Sequence, residues 1–256
     1  KNLLMSDDVL ATIRAIKKFG AKVIIKKDLC KIHGLGLDGY KYKKNISINA
    51  GNSGTLGRLI SGILIDTPFP IKIIGDKSLS RRDFRRVADP LSKFGASFNL
   101  YKNYNLPLVI KGPEKLKPIK FFENRGSAQC KSSVLFAGIK TKGKTIIKAK
   151  KSRNHTELLF KHLKFPIKIK KDKDFDLIEI EKVKKIKPLN YKVPSDISSG
   201  AFFIALTVLS KKSQLVIRNV NVNQTRIGIN IILKKMGVKI KLLNKKIYKG
   251  EPVADI

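Results

Sequence analysis

Three stretches of this chain read as helices without a polar face, and each opens on small or capping residues. Gly51-Asn52-Ser53-Gly54-Thr55 leads into an apolar run to about position 65. Gly126-Ser127-Ala128-Gln129 leads into one to about 139, and Ser195-Asp196-Ile197-Ser198-Ser199 into one to about 209. Ser, Asp and Gly cap helix starts, and a helix that is apolar all round requires cover on every side. The openings lie 75 and then 69 positions apart. A second, amphipathic set of helices interleaves with the first over 6–18, 81–93 and 228–236, and each stops at or near a glycine, Gly20, Gly95 or Gly237. A weaker copy over 155–163 stops at Lys164-Phe165-Pro166. Short strands are predicted at 46–48, 71–74, 108–110, 145–147 and 215–217. A period near 70 exceeds that of a solenoid repeat and fits a unit of two helices and several strands. The class is α/β with repeated units, the apolar helices buried inside a ring of sheets.

Composition narrows the partners. Lys plus Arg number 55 against 19 Asp plus Glu, a net charge of +36. Taken alone, this points to a polyanion such as RNA, DNA or an anionic membrane. The lysines are spread along the whole chain, and there is no Trp, no Arg-rich tail and no RNP-like aromatic motif. A general lysine bias therefore accounts for the charge, and no dedicated nucleic-acid partner is expected. At 256 residues the chain makes one large or two modest domains. Cys30 and Cys130 form no CxxC pair, which excludes zinc ribbons and disulfide scaffolds. No apolar run reaches the ~18 residues of a membrane span. No signal peptide is visible, and Lys1 in place of Met predicts a cut start.

Two motif types compete for a phosphate. Positions 138–145, Gly-Ile-Lys-Thr-Lys-Gly-Lys-Thr, satisfy GxxxxGK[ST]. A P-loop needs a strand before it and a helix after it, and here the predicted order is reversed, so an ATP site is rejected. The starts at Gly51–Thr55 and Arg125–Gln129 each offer free N–H groups at a helix N-terminus, an anion-binding geometry as well as ordinary capping. Arg58 and the run Arg81-Arg82-Asp83-Phe84-Arg85-Arg86 supply guanidinium forks nearby. Ser152-Arg153-Asn154-His155-Thr156-Glu157 reads either as a helix cap or as ligand contacts. His33, His155 and His162 have no metal-ligand spacing.

Taken in order, these pieces resemble the 5-enolpyruvylshikimate-3-phosphate synthase family of carboxyvinyl transferases. The resemblance rests on Gly51–Thr55 with Arg58, Gly75-Asp76-Lys77-Ser78-Leu79 with Arg82, Ser127-Ala128-Gln129 with Lys131-Ser132, and Ser152-Arg153 with His155-Thr156-Glu157. It continues in Pro194–Ser199 and in Asn223 with Thr225-Arg226 and Gly228. It implies an inside-out α/β barrel architecture of two domains built from βαβαββ units, with 1–192 most of one domain and 193–256 part of the other. It also implies a chain incomplete at both ends. The family's first Lys-Ser segment would precede Lys1 and its acid–base groups would follow Ile256, leaving the chain alone inactive.

The implied reaction joins phosphoenolpyruvate to the 5-hydroxyl of shikimate 3-phosphate with release of phosphate, in the pathway to chorismate and the aromatic amino acids. The resemblance assigns phosphoenolpyruvate to Gly54, Arg82 and Gln129. It assigns shikimate 3-phosphate to Ser127, Ala128, Gln129, Ser152 and Arg153. It implies no metal, no cofactor and no membrane, a cytoplasmic monomer, and a target of glyphosate. Asp83 stands where the family has Pro; turned inward it would weaken the anion clamp, and turned outward it would only trim surface charge. The related UDP-N-acetylglucosamine carboxyvinyl transferases are expected to carry a reactive-loop cysteine, and neither Cys30 nor Cys130 has such a context.

Overall fold

The computed structural model describes residues 1–256, which divide into two compact units. The larger comprises Leu3–Ser152 and Phe165–Pro188; the smaller comprises Lys1–Asn2, Arg153–Lys164 and Leu189–Ile256.

The larger unit opens with helix α1 (Asp7–Lys18) and the antiparallel hairpin β1 (Lys22–Lys26) and β2 (Leu29–His33). Then follow β3 (Ser47–Asn49), α2 (Gly54–Ile63), β4 (Ile71–Ile74), α3 (Arg85–Ser92), β5 (Ser97–Tyr101) and β6 (Asn105–Lys111). That is one βαβαββ pass. It forms a sheet ordered β3-β4-β6-β5, with β3 parallel to β4 and the remaining pairs antiparallel. A second pass supplies β7 (Lys120–Glu123), α4 (Ala128–Gly138), β8 (Thr145–Lys150), β9 (Ile167–Lys171) and β10 (Phe175–Ile180). Its sheet, β7-β8-β10-β9, repeats the same order and directions.

The smaller unit holds α5 (His155–His162), α6 (Ile197–Leu209), β11 (Val220–Asn221), α7 (Gly228–Lys235), β12 (Leu243–Tyr248) and β13 (Glu251–Asp255). A parallel bridge from Ser195 to Val220 and the order β11-β13-β12 give the same pattern a third time. The repeat read in the sequence is therefore a real α/β repeat. Its sheets are separate and mixed, and none closes into a barrel.

The stops behave as read. Gly20 and Gly95 end α1 and α3 at φ +95° and +104°, the left-handed conformation that glycine adopts at lowest cost. In the weaker copy Lys164 takes that position at φ +58°. The GxxxxGK[ST] stretch is the end of α4 and the start of β8, the reverse of a P-loop. Two expectations are corrected. Residues 215–217 form no regular strand; only Ile217 exchanges backbone hydrogen bonds with Ile256. Helix α6 is not enclosed: Ile197, Gly200 and Ile204 form its buried stripe, while Phe202, Phe203, Leu206 and Leu209 face outward. The smaller unit has one three-stranded sheet, which covers a helix from one side only. No helix is long and apolar enough to cross a membrane.

The core of the larger unit gathers Phe19, Ile48, Leu56, Ile60, Leu64 and Ile73, all buried. Helices α2 and α4 pack directly on each other. A Cβ placed on Gly62 would sit 2.1 Å from the carbonyl oxygen of Ser133, so the two backbones touch. This contact sets the two helix starts side by side.

Candidate active site

Each start is built by its own sequence. Ser53 Oγ accepts from the Leu56 amide at 3.1 Å and caps α2; Ser127 Oγ accepts from the Cys130 amide at 3.3 Å and caps α4. Gln129 bridges the two helices, its Nε2 donating to Thr55 Oγ1 at 2.9 Å and its Oε1 accepting from Arg58 Nη1 at 2.5 Å. Ser133 Oγ donates to the Arg58 carbonyl at 2.9 Å, a second tie one turn further along.

The loop before α3 closes the same corner. Asp76 accepts from the Leu79 amide and from Asn52 Nδ2, both at 2.7 Å. The Leu79 amide first, then Asn52, hold its carboxyl below the usual carboxylate range. Asn52 Oδ1 in turn faces Arg82 Nη2 at 3.5 Å. The Arg82 fork lies over the start of α2: a Cβ on Gly54 would meet Arg82 Nη1 at 3.2 Å and Arg58 Nη1 at 3.3 Å. Gly54 is the residue that lets two guanidiniums approach one helix N-terminus.

Of the eight assignments read in the sequence, covering seven residues, Gly54, Arg82, Gln129, Ser127 and Ala128 gather around the two starts. Ser152 belongs to the larger unit, and its buried Oγ has no protein partner. Arg153 is exposed and belongs to the smaller unit. There the neighbouring residues are pinned. Asn154 Oδ1 accepts from Asn223 Nδ2 at 2.8 Å, and His155 Nδ1 lies 2.6 Å from Glu251 Oε1. Asp83 accepts from the Arg85 amide at 2.7 Å and pairs with the Arg85 guanidinium at 3.4 Å.

The sequence set Arg58 near the α2 start as a guanidinium fork but gave it no ligand, and it is the most informative residue of the corner. It is only 8% exposed, its guanidinium lies 5.5 Å over the Phe84 ring, and its Nε is buried without a partner. Burial, then the neighbouring Arg86 and Arg82, lower its pKa; a guanidinium stays charged regardless. Its position four residues after Gly54, on the same helix face, was the available signal. Arg86 Nε is likewise buried and unpartnered. Buried donors without partners are costly, and a corner of unspent cationic donors is complementary to an anion. The Cys130 thiol is pushed up by burial, which makes it a poor nucleophile.

The third helix start differs. Asp196 caps α6, accepting from the Ser198 and Ser199 amides at 3.2 Å each, and takes Arg226 Nη2 at 2.5 Å. Burial opposes its ionisation, but the Ser198 amide and Arg226 prevail and its pKa is lowered. That N-terminus is already neutralised by a carboxylate.

The profile of the EPSP synthase (3-phosphoshikimate 1-carboxyvinyltransferase) family matches residues 1–254. A 3-phosphoshikimate 1-carboxyvinyltransferase of Caldicellulosiruptor saccharolyticus is 41% identical over 265 residues, covering 100% of this chain and 59% of the relative. One from a Sulfurihydrogenibium species is 40% identical over 258 residues with the same shares. The solved EPSP synthase of Acinetobacter baumannii superposes with a TM-score of 0.87 at 35% identity, covering 99% of this chain and 56% of that one. The chain thus spans about 59% of the length of the curated relatives it matches. With the fold, the triplicated unit and the profile in agreement, the chain belongs to the EPSP synthase (3-phosphoshikimate 1-carboxyvinyltransferase) family.

Proposed function

We propose that this chain contributes the anion-binding half of an enzyme that transfers the carboxyvinyl group of phosphoenolpyruvate to the 5-hydroxyl of shikimate 3-phosphate. The observation that carries the reading is the convergence of Arg82, Arg58 and Gln129 on the abutting starts of α2 and α4. Both substrates bring a phosphate and a carboxylate, and this corner offers guanidinium, amide and hydroxyl donors held in advance.

In this reading Gly54 lets the helix N–H groups reach phosphoenolpyruvate, Arg82 clamps it with two parallel bonds, and Gln129 touches both ligands. Ser127, Ala128, Ser152 and Arg153 hold shikimate 3-phosphate. The methylene carbon of phosphoenolpyruvate takes a proton, the 5-hydroxyl gives up its proton as its oxygen bonds to the adjacent carbon, and the tetrahedral adduct expels phosphate as the new methyl group loses a proton and the vinyl double bond re-forms. No residue of this chain is given the proton transfers. The reading carries with it a cytoplasmic monomer without metal or cofactor, and a domain split into 1–192 and 193–256.

Phosphate release by a protein of the relatives' full length that carries this chain tests the proposal. Release is expected only when phosphoenolpyruvate and shikimate 3-phosphate are both present; none from the folded protein overturns it. Arg82→Ala should then raise the KM for phosphoenolpyruvate more than tenfold, since a charge-assisted bond is worth ~1.5–3 kcal/mol. An unchanged KM removes Arg82 from the site.

A further inference from the structure

The proposed chemistry leaves most of the +36 charge unexplained, and the fold arranges part of it. On the sheet β7-β8-β10-β9 the period of two sends alternate residues outward. The register aligns Phe122, Lys148, Leu177 and Lys170 in one row across the four strands. The next row is Lys120, Ile146, Glu179 and Lys168, and at the far end Lys150 stands beside Phe175. The lysines are all exposed. The face thus carries five lysines against two carboxylates: Glu179, which is paired with Lys144 at 3.1 Å, and the exposed Asp172, whose amide donates to the Phe175 carbonyl.

Two aromatic rings lie among them. Phe122 is 54% exposed, although large apolar side chains on a lone sheet face usually turn inward. Its ring centroid is 5.4 Å from that of Phe175, and Lys148 Nζ sits 5.6 Å and 5.3 Å from the two centroids. Cation and ring are therefore interleaved on one flat surface.

The sister sheet of the same unit is an internal control for lysine bias. It has the same strand order, and its outer face carries Lys72 and Lys111 among Ser47, Asn99 and Val109, with Tyr101 at one edge. A bias acting on every solvated face equally would not put five lysines and a ring pair on one sheet and two lysines on the other.

We propose that the outer face of β7-β8-β10-β9 binds single-stranded nucleic acid, its lysines on the phosphates and Phe122 and Phe175 against base faces. Ammonium groups that track a backbone, together with rings on which unpaired bases stack, are what such a ligand requires. A duplex hides its base faces, and a lipid surface offers none. This departs from the expectation drawn from the sequence, in which the lysines are scattered; the sheet register brings them together. The face is distinct from the corner at α2 and α4, so the proposal stands apart from the transferase reading.

The test is binding of a labelled oligouridylate of about 12 nucleotides to the 256-residue chain, by fluorescence anisotropy over a range of salt. Affinity should fall with salt, with a log–log slope of about −3.5 if the five lysines meet phosphates. Lys168→Glu with Lys170→Glu should weaken binding more than tenfold and flatten that slope, whereas Lys234→Glu with Lys235→Glu on α7, an equal charge change, should leave both nearly unchanged. Phe122→Ala should weaken binding about tenfold, the scale of one lost base stack, and Phe122→Tyr should restore it. Far-ultraviolet circular dichroism checks that each variant is folded. Equal losses from the two lysine pairs would reduce the effect to diffuse charge and overturn the proposal. So would inorganic polyphosphate or phosphatidylserine vesicles binding as tightly as the oligonucleotide while Phe122→Ala changes nothing.

Discussion

Helix α4 contains a lysine and two serines that the fold buries, Lys131 to 1% exposure, whereas helix α6 is the more apolar of the two and leaves Phe202 79% exposed. Both open on a side-chain cap at equivalent places in the repeat. The difference lies in their surroundings. Helix α4 has α2 on one side, backbone against backbone, and its own sheet on another, where a Cβ on Gly138 would lie 2.6 Å from Ile180 Cγ2. Helix α6 has one three-stranded sheet. Within the 59% of the relatives' length that this chain spans, burial follows the layers present around each helix and not its composition. Where two layers exist, even polar side chains are enclosed, and their positions become fixed enough to serve a site.

The largest effect should come from the same substitution made in both helical contexts. Gly62→Ala puts a methyl group 2.1 Å from a backbone oxygen that cannot yield, and should cost about 3 kcal/mol or more. Gly200→Ala in α6 meets only the tip of Ile217 at 3.1 Å and gains helix propensity, so it should stay within about 1 kcal/mol of the parent. Urea denaturation measures both, and equal losses would show that the surroundings of α2 and α6 do not set the cost. Next, Leu135→Ala in α4 opens a cavity and should cost about 2–5 kcal/mol. Leu206→Ala on the outward face of α6 should cost about 0.5 kcal/mol or less.

A smaller effect separates the units by pH. Glu251 is buried, which opposes its charge, but His155 and then Asn221 and Asn223 hold it ionised, and its pKa is lowered. A depressed carboxylate supplies stability that is full above its unfolded value near 4.3 and is lost as pH falls through the folded value. Hydrogen exchange should therefore report loosening of β13 as pH drops below about 4, and Glu251→Gln should remove that dependence. An unchanged pH profile in Glu251→Gln would take the carboxylate out of the account. A small change in stability, within about 1 kcal/mol, is expected for Gly54→Ala, because at 3.2–3.3 Å the methyl group meets the exposed Arg82 guanidinium, which can shift, and the buried Arg58 guanidinium, which need give by only a few tenths of an ångström. On the proposed function, its effect in a protein of the relatives' full length should appear in binding, with glyphosate hindered more than phosphoenolpyruvate; equal loss for both would show that Gly54 does not gauge ligand bulk.

Much of this was legible in order along the chain. The glycine stops, the capped starts at Ser53 and Ser127 and the period near 70 residues are local signals, and local physics sets them. The reversed order around positions 138–145 was legible for the same reason. Arg58 escaped assignment because a buried guanidinium looks like any other Arg until Gln129, 71 positions away, is brought within 2.5 Å. The strand at 215–217 failed because pairing needs a neighbour, and there only one residue finds one.

Most of the elements, their repetition and the family could be read from the chain alone, since periodicity, capping and glycine at a helix end act within a few residues. Tertiary structure alone decided which apolar helices are enclosed, which of the many cations converge at the abutting starts of α2 and α4, and which lysines share a sheet face with Phe122 and Phe175. Those outcomes depend on contacts between residues tens of positions apart, set by backbone approach and strand register, and no local pattern in the chain encodes them.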